Sequence, residues 1–423
     1  MRNLFVRSMV LTLASFLVLA GLTVSAQEPR EGVVYWDEPP AATGPAAIGP
    51  AATGPAATGP SESFIQTRGV SQKLATCGDG NQEDGELCYS SSVALAPPGS
   101  SISGIDVGRL NGGSNVDFVV SQWLLDRMIS SLGTGAGTFY NTQTRSMGDG
   151  PTDIKMGDFN NDGITDIMAT NLHKDRVRIR WGHNNWQTWS FYKTGDGPRE
   201  LVVGDLNGDG RDDFVTANTG DDTITVGVKR SGSGFRLTTL YVGAGNSTVA
   251  LADMNNDGDL DILHDGAGRL RLRLNNGSGS FGSPTTLVTS PSGNTAFPSI
   301  ATADVDGDGY RDIVANHGYN QMVLVRRTGS GGYRNPVFAD LDTGALFKVQ
   351  LHDMDDDGFV DIITNEGNTT MNIYLGNGNG SFSSGNVINT LNATDFEVAD
   401  FNNDGFLDII YTGTEARLLL ANP

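Results

Sequence analysis

Six segments of the chain carry carboxylates at a spacing that suits one chemistry, the capture of a hard dication. They are Asp158-Phe-Asn160-Asn-Asp162-Gly163-Ile-Thr-Asp166, Asp205-Leu-Asn207-Gly-Asp209-Gly210-Arg-Asp-Asp213 and Asp253-Met-Asn255-Asn-Asp257-Gly258-Asp-Leu-Asp261. Then come Asp304-Val-Asp306-Gly-Asp308-Gly309-Tyr-Arg-Asp312, Asp353-Met-Asp355-Asp-Asp357-Gly358-Phe-Val-Asp361 and Asp400-Phe-Asn402-Asn-Asp404-Gly405-Phe-Leu-Asp408. Side chains at positions 1, 3 and 5 converge on one centre when the backbone curls, and Gly at position 6 permits the sharp turn. Position 7 offers a carbonyl, from Ile164, Arg211, Asp259, Tyr310, Phe359 or Phe406, and the Asp at position 9 closes the shell. Ca²⁺ takes six to eight oxygens at ~2.3–2.6 Å, whereas Mg²⁺ prefers rigid octahedra that keep several waters. An EF-hand closes with Glu at position 12. Here that position holds Ala169, Thr216, His264, Ala315, Thr364 and Tyr411, none acidic, so EF-hand and dockerin-type loops are disfavoured. Ordinary Asx turns would explain one such segment. They do not explain six that keep Asp at positions 1, 5 and 9 and Gly at 6.

The elements that must position these loops follow from their period. A degenerate copy, Arg109-Leu-Asn111-Gly-Gly113-Ser114-Asn-Val-Asp117, lies in front of the six. The seven first positions are 109, 158, 205, 253, 304, 353 and 400. A period near 48 residues fits a four-stranded unit with its turns, as in a β-propeller blade. After position 9 comes an apolar run such as Ile313-Val-Ala or Ile362-Ile-Thr, so each loop lies between two strands. The alternation Leu270-Arg-Leu-Arg-Leu274 reads as a half-buried strand. In the front copy Arg109 replaces the first Asp and Gly113 the third ligand, so no metal is expected there. The last copy stops at Glu415 to Pro423, where a turn and a fourth strand should follow. The missing piece stands at the front: Tyr89-Ser-Ser-Ser-Val-Ala-Leu95 precedes the first loop as Phe382-Ser-Ser-Gly-Asn-Val-Ile388 precedes the last. The prediction is an all-β, seven-bladed β-propeller of four-stranded blades over residues 91–423. The N-terminal strand closes the last blade and removes the open edges that invite aggregation.

The composition agrees with metal loops and excludes several other classes. Lys plus Arg number 28 and Asp plus Glu 49, for a net charge of −21. So acidic a chain is a poor partner for nucleic acid, whose affinity rests on cations against phosphates. The 56 Gly follow no triplet period, which excludes collagen, and 38% hydrophobic residues suffice for a core. The ligand positions of the six loops hold 20 of the 49 carboxylates. Six bound Ca²⁺ would bring the formal charge from −21 to −9.

Residues 1–26 read as a secretory signal: Arg2 and Arg7, an apolar run Val10 to Ala20, then Val24-Ser25-Ala26 as the cleavage site. No later stretch approaches ~20 apolar residues, so no membrane span is expected. Residues 27–75 form a Pro/Ala/Gly linker, repetitive from Pro40 to Pro60, which is expected to stand outside the fold. Residues 76–90 hold both cysteines, Cys77 and Cys88, and two Cys this close in an exported chain are expected to pair as a disulfide. A loop of that size would stabilise by roughly 2–3 kcal/mol. The segment is similar to the short CGDG…GE.C element of exported bacterial proteins.

The loops, with a second recurring element, resemble the FG-GAP/VCBS repeats, including the calcium-loop blades of integrin α-subunit propellers. That element is Leu132-Gly-Thr-Gly-Ala-Gly-Thr-Phe139, Ser231-Gly-Ser-Gly-Phe235, Asn275-Asn-Gly-Ser-Gly-Ser-Phe281, Thr328-Gly-Ser-Gly-Gly-Tyr333 and Leu375-Gly-Asn-Gly-Asn-Gly-Ser-Phe382. It reads as a Gly-rich hairpin turn followed by an aromatic that packs between blades. The second blade departs from it with Trp181-Gly-His-Asn-Asn-Trp186. The resemblance spans about residues 88–423. It implies seven blades, calcium in the inter-strand loops and an exported, usually non-enzymatic protein.

Little in the sequence announces catalysis. His173, His183, His264, His317 and His352 sit at different places in their repeats and form no metal-ligand spacing. There is no Ser nucleophile elbow and no phosphate loop. The expected function is a secreted, extracellular or cell-surface module, the periplasm being the alternative. It binds about six Ca²⁺ and an extracellular protein or carbohydrate as a monomer. The rivals are a polysaccharide lyase or hydrolase with its site in the propeller channel, and a subunit of a surface assembly. The aromatic cluster Trp181, Trp186, Trp189, Phe191 and Tyr192 is expected chiefly to pack between blades, with sugar stacking as the alternative.

Overall fold

The computed structural model describes residues 64–66, 88–90, 93–95 and 101–422, the last range apart from 233, 246–247, 294, 342–344, 367–368 and 391. The signal segment, most of the Pro/Ala/Gly stretch and Cys77 lie outside the described residues.

Seven four-stranded antiparallel sheets follow one another around a ring. Their first strands line the axis: Ile102–Gly108, Ile154–Gly157, Pro198–Gly204, Val249–Ala252, Ile300–Ala303, Leu346–His352 and Asp395–Ala399. The second strands, Asp117–Gln122, Asp166–Asn171, Asp213–Asn218, Asp261–Gly266, Asp312–His317, Asp361–Glu366 and Asp408–Thr412, are buried along their whole length. Each of them begins with the position-9 Asp of its loop. Being covered on both faces, they are apolar runs with polar ends rather than alternating strands. The helical pieces among the described residues are single 3-10 turns, and none is long and apolar enough to cross a membrane.

The core is a set of wedges between neighbouring blades. Phe401, Ile410 and Leu418 of blade 7 pack with Ile105, Phe118 and Val120 of blade 1. The aromatics that follow the Gly-rich turns enter these wedges as expected. Phe139 lies edge-on to Phe118 at 4.7 Å and to Phe401 of the neighbouring blade at 5.9 Å. Phe235 meets Phe214 at 5.1 Å and Phe159 of blade 2 at 6.3 Å.

The ring closes through the N-terminal strand. Val93–Ala94 is the fourth strand of blade 7, paired antiparallel as Val93↔Leu418 and Ala94↔Arg417. Beside it the backbone of Cys88–Tyr89 pairs with Ala421–Asn422. One piece of the expected linker also belongs to the fold. Ile65–Gln66 adds a parallel fifth strand to blade 6, against Phe382–Asn389. Phe64 and Ile65 are 6% and 3% exposed, and the Phe64 ring meets Phe382 edge-on at 6.2 Å. They are the first large apolar residues after the repeats, and burying the pair stabilises by about 3–5 kcal/mol.

Candidate metal centres and the central channel

The six loops share one hydrogen-bonded curl. The position-1 carboxylate accepts the backbone N–H groups of positions 5 and 6, as Asp353 does from Asp357 (3.1 Å) and Gly358 (2.9 Å). The position-5 carboxylate accepts the N–H of position 7, as Asp357 does from Phe359 at 2.8 Å. These are linked Asx turns, and they hold the acidic side chains at one end of each blade.

The closing Asp does a job that the sequence did not announce. In every loop it is fully buried and accepts a backbone N–H on each oxygen. Asp361 takes Met354 N–H at 2.7 Å from its own loop and Gly376 N–H at 2.8 Å from the end of the third strand. Asp312 does the same with Val305 and Arg327, and Asp408 with Phe401 and Ala421. Asp117, in the degenerate front copy, keeps both bonds, to Leu110 (2.7 Å) and Gly133 (2.8 Å). The residue is therefore a structural staple even where the rest of the acidic pattern is missing. At Gly133 and Gly376 the approach is so close that a Cβ would fall 2.1 and 2.2 Å from the carbonyl oxygens of Val116 and Val360. Those glycines serve the staple rather than the turn. Arg109 is exposed, as a solvated side chain would be.

Two loops bring carboxylates together closely enough to hold a metal ion. In Asp304, Asp306 and Asp312, and again in Asp353, Asp355 and Asp361, one oxygen of each lies within 4.8 Å of the others. Positions 1, 3 and 9 thus converge, while Asp308 and Asp357 at position 5 remain exposed and outside the triads. The other four loops have Asn at position 3. In three of them its amide donates to position 5: Asn160 to Asp162 (3.1 Å), Asn255 to Asp257 (2.7 Å) and Asn402 to Asp404 (2.7 Å). The Asp306 side chain is 7% exposed and its Oδ1 is buried without a hydrogen-bond partner, while its Oδ2 stands 3.7 and 3.8 Å from Arg326 and Arg334. A buried orphan oxygen beside two further carboxylates fits a hard cation. Burial, with neighbouring acids adding to it, pushes the closing carboxyls up, to about 7 for Asp361 and about 6 for Asp312. A dication would offset that cost.

The central channel, about 610 Å³, is the other concentration of titratable groups. Most of its acids are committed to the fold, each reaching the backbone of the next blade. Asp395 accepts from Ile105 (3.2 Å), Asp106 from Met156 (2.7 Å), Asp153 from Leu201 (2.8 Å) and Glu200 from Val249 (3.0 Å). Ser299 continues the ring to Val349 at 3.1 Å, and Gln350 to the Phe396 carbonyl at 3.2 Å. Lys348 pairs with Asp395 (2.6 Å) and Glu397 (2.8 Å). Burial alone would depress its ammonium, but those two carboxylates outweigh burial and hold it above its ordinary range. The signal for this ring was present in the sequence. Four ring residues stand five places before a loop (Asp153, Glu200, Ser299, Asp395) and two stand three places before (Asp106, Gln350), and in blade 1 the first of these places is Gly104, where a Cβ would strike Asp153.

Burial, with Asp153 nearby, pushes the Glu200 carboxyl up to about 8 from 4.5. Between those two values the folded state holds more protons than the unfolded chain, so this group's contribution to stability falls as pH rises. Glu200→Gln, which keeps an acceptor for Val249, is expected to melt above the parent at pH 8 and level with it at pH 4. Parallel melting curves across that range would refute this assignment.

The aromatic cluster of blade 2 divides. Trp186 is buried and donates to the Thr165 carbonyl at 3.1 Å, and Tyr192 packs on Phe235 at 4.9 Å. Trp181 shares with Tyr192 the wedge of blades 2 and 3, whereas Trp186 lies in the wedge of blades 1 and 2. Trp189 and Phe191 are exposed.

A family model described as the FG-GAP-like repeat matches residues 158–216, 205–264, 265–315 and 353–411. No curated protein matches the sequence. Among solved structures, BBS1N in its complex with ARL6DN, from a mercury-soaked crystal, is similar at TM-score 0.56 and 11% identity, covering 79% of this chain and 96% of that one. An Agrocybe aegerita lectin that recognises non-reducing terminal N-acetylglucosamine is similar at TM-score 0.50 and 17% identity, covering 77% and 86%. At such identities these likenesses speak for the fold alone.

Proposed function

Because the chain belongs to the FG-GAP-like repeat family, we propose that it is an exported binding or adhesion module, a propeller whose inter-strand loops are filled by structural Ca²⁺. The observation that carries this reading is the repeated loop geometry, above all the Asp304/Asp306/Asp312 triad with its buried, unpartnered oxygen. Bound Ca²⁺ supplies charge neutralisation. The chain's own part is to hold positions 1, 3 and 9 in place through the Asx curl and the backbone staple. The position-3 acids make the loops at 304 and 353 the strongest candidates. Catalysis in the channel is disfavoured, because the acids that could serve as acid and base are tied to neighbouring backbones. Export rests on the signal-like first 26 residues.

Calorimetric titration of metal-stripped protein is expected to show up to six Ca²⁺ per chain, tightest at those two loops. Asp306→Asn and Asp355→Asn should each remove a tight site. Heat indistinguishable from buffer dilution would sink the calcium reading. Pull-down from extracellular material, with and without calcium, tests the binding role.

A further inference from the structure

Blade 2 carries a cationic and aromatic face on a chain of net charge −21. Its third strand, Arg176–Arg180, pairs with its fourth, Trp189–Lys193, in the register Arg176↔Lys193, Arg178↔Phe191 and Arg180↔Trp189. Strand alternation puts these six side chains on one face, while Val177, Ile179 and Tyr192 pack toward blade 3 on the other. Trp189 is 47% exposed and Phe191 52%, their rings stacked with centroids 6.2 Å apart. The guanidinium of Arg178 lies 4.4 Å from the Trp189 centroid and that of Arg176 lies 4.7 Å from Phe191. Cations and rings therefore interleave as a ladder. Arg180 anchors it to the outer strand of blade 1, donating to the carbonyls of Ser146 and Trp186. From that strand Arg145 adds a further cation near Arg180.

This face lacks the carboxylates expected in so acidic a protein. Among the described residues, Arg145, Arg176, Arg178, Arg180 and Lys193 form no ion pair, and the Nε groups of Arg145, Arg176 and Arg178 are buried without a hydrogen-bond partner. Uncompensated like charges beside exposed rings cost stability, and both are what an interface anchor supplies.

We propose that this face binds an acidic polysaccharide built of uronate sugars. The rings of Trp189 and Phe191 lie against sugar faces, and Arg176, Arg178 and Lys193 take the carboxylates. The assignment rests on the binding reading above and names its partner class. Charge complementarity favours a glycan over nucleic acid. A long polyphosphate would extend from this small patch onto a strongly acidic surface, whereas a uronate chain is more sparsely charged and offers apolar C–H faces to the rings.

The test uses the full-length, calcium-loaded protein and two uronate polymers, hyaluronan and polyglucuronate, in biolayer interferometry. Binding is expected, weakening with salt. The pairs Trp189→Ala with Phe191→Ala, and Arg176→Ala with Arg178→Ala, should each weaken it about tenfold or more, at a melting temperature no lower than the parent's. Arg178→Lys, which keeps the charge but loses the planar fork, should fall between. Carboxyl-esterified hyaluronan should bind about tenfold less than the free acid. Binding of neither polymer overturns the proposal, as does tighter binding of oligo-dT or equal binding of the ester. Full affinity in both double variants also overturns it but leaves the binding reading standing. That reading falls only if the pull-down is empty as well.

Discussion

Chelation of calcium with EDTA is expected to lower the melting temperature of the purified protein by about 20 °C or more, and calcium, not magnesium, should restore it. Each site filled at 100 times its dissociation constant adds about 2.7 kcal/mol to the folded state. Six such sites would add about 16 kcal/mol, and in a domain of this size each kcal/mol moves the midpoint by about 2 °C. The loss should be largest for the loops at 304 and 353, where three carboxylates with oxygens within 4.8 Å would be left facing one another. A midpoint that EDTA leaves in place would mean that the Asx curl alone holds the loops. The natural assay is a fluorimetric melt at fixed pH and ionic strength.

The second large effect separates the staple from the metal. Asp117→Ala should cost about 3–4 kcal/mol with or without calcium, because it leaves the buried N–H groups of Leu110 and Gly133 unpartnered. Asp361→Ala loses the equivalent bonds to Met354 and Gly376 and, in addition, a ligand of a proposed site. In calcium its cost should exceed that of Asp117→Ala by about 2–3 kcal/mol, and in EDTA the two should agree. Urea denaturation of both variants in both buffers gives the four numbers. A calcium-dependent cost at Asp117, or an equal excess at Asp361 in EDTA, would contradict the division of roles.

The sequence was most informative where the physics is local. Seven copies of a nine-residue loop at one period declare the blades, because every residue of the pattern lies within one turn of chain. The closing strand was legible because Tyr89 to Leu95 copies the residues around Phe382 to Ile388. What escaped depends on partners far along the chain. The staple's second N–H comes from the third strand, 16 residues from Asp117 and 15 from Asp361. The channel ring is built from Asp, Glu, Ser and Gln, different residues doing one job, so no single residue type marks it. Phe64 and Ile65 fold only because blade 6 offers an open edge, which a two-residue strand cannot announce. The division of the aromatic cluster was set by register: pairing Arg178 with Phe191 turns Trp189 and Phe191 outward and Tyr192 inward.

The strands supplied from upstream of the ring also set a mechanical order of failure. A pull applied upstream of Phe64 loads the two-residue pairing of Ile65–Gln66 on blade 6 first. Only after that pairing lets go does tension reach Cys88–Tyr89 and then Val93–Ala94, the strand that closes the ring. Release of the first pairing brings residues 67–87 into line, up to about 70 Å of contour at ~3.3–3.6 Å per residue. An oxidised Cys77–Cys88 bridge would withhold part of that length. The short fifth strand would then stand in series with the propeller as its first point of release. In that order the chain would lengthen before any blade of the ring is disturbed.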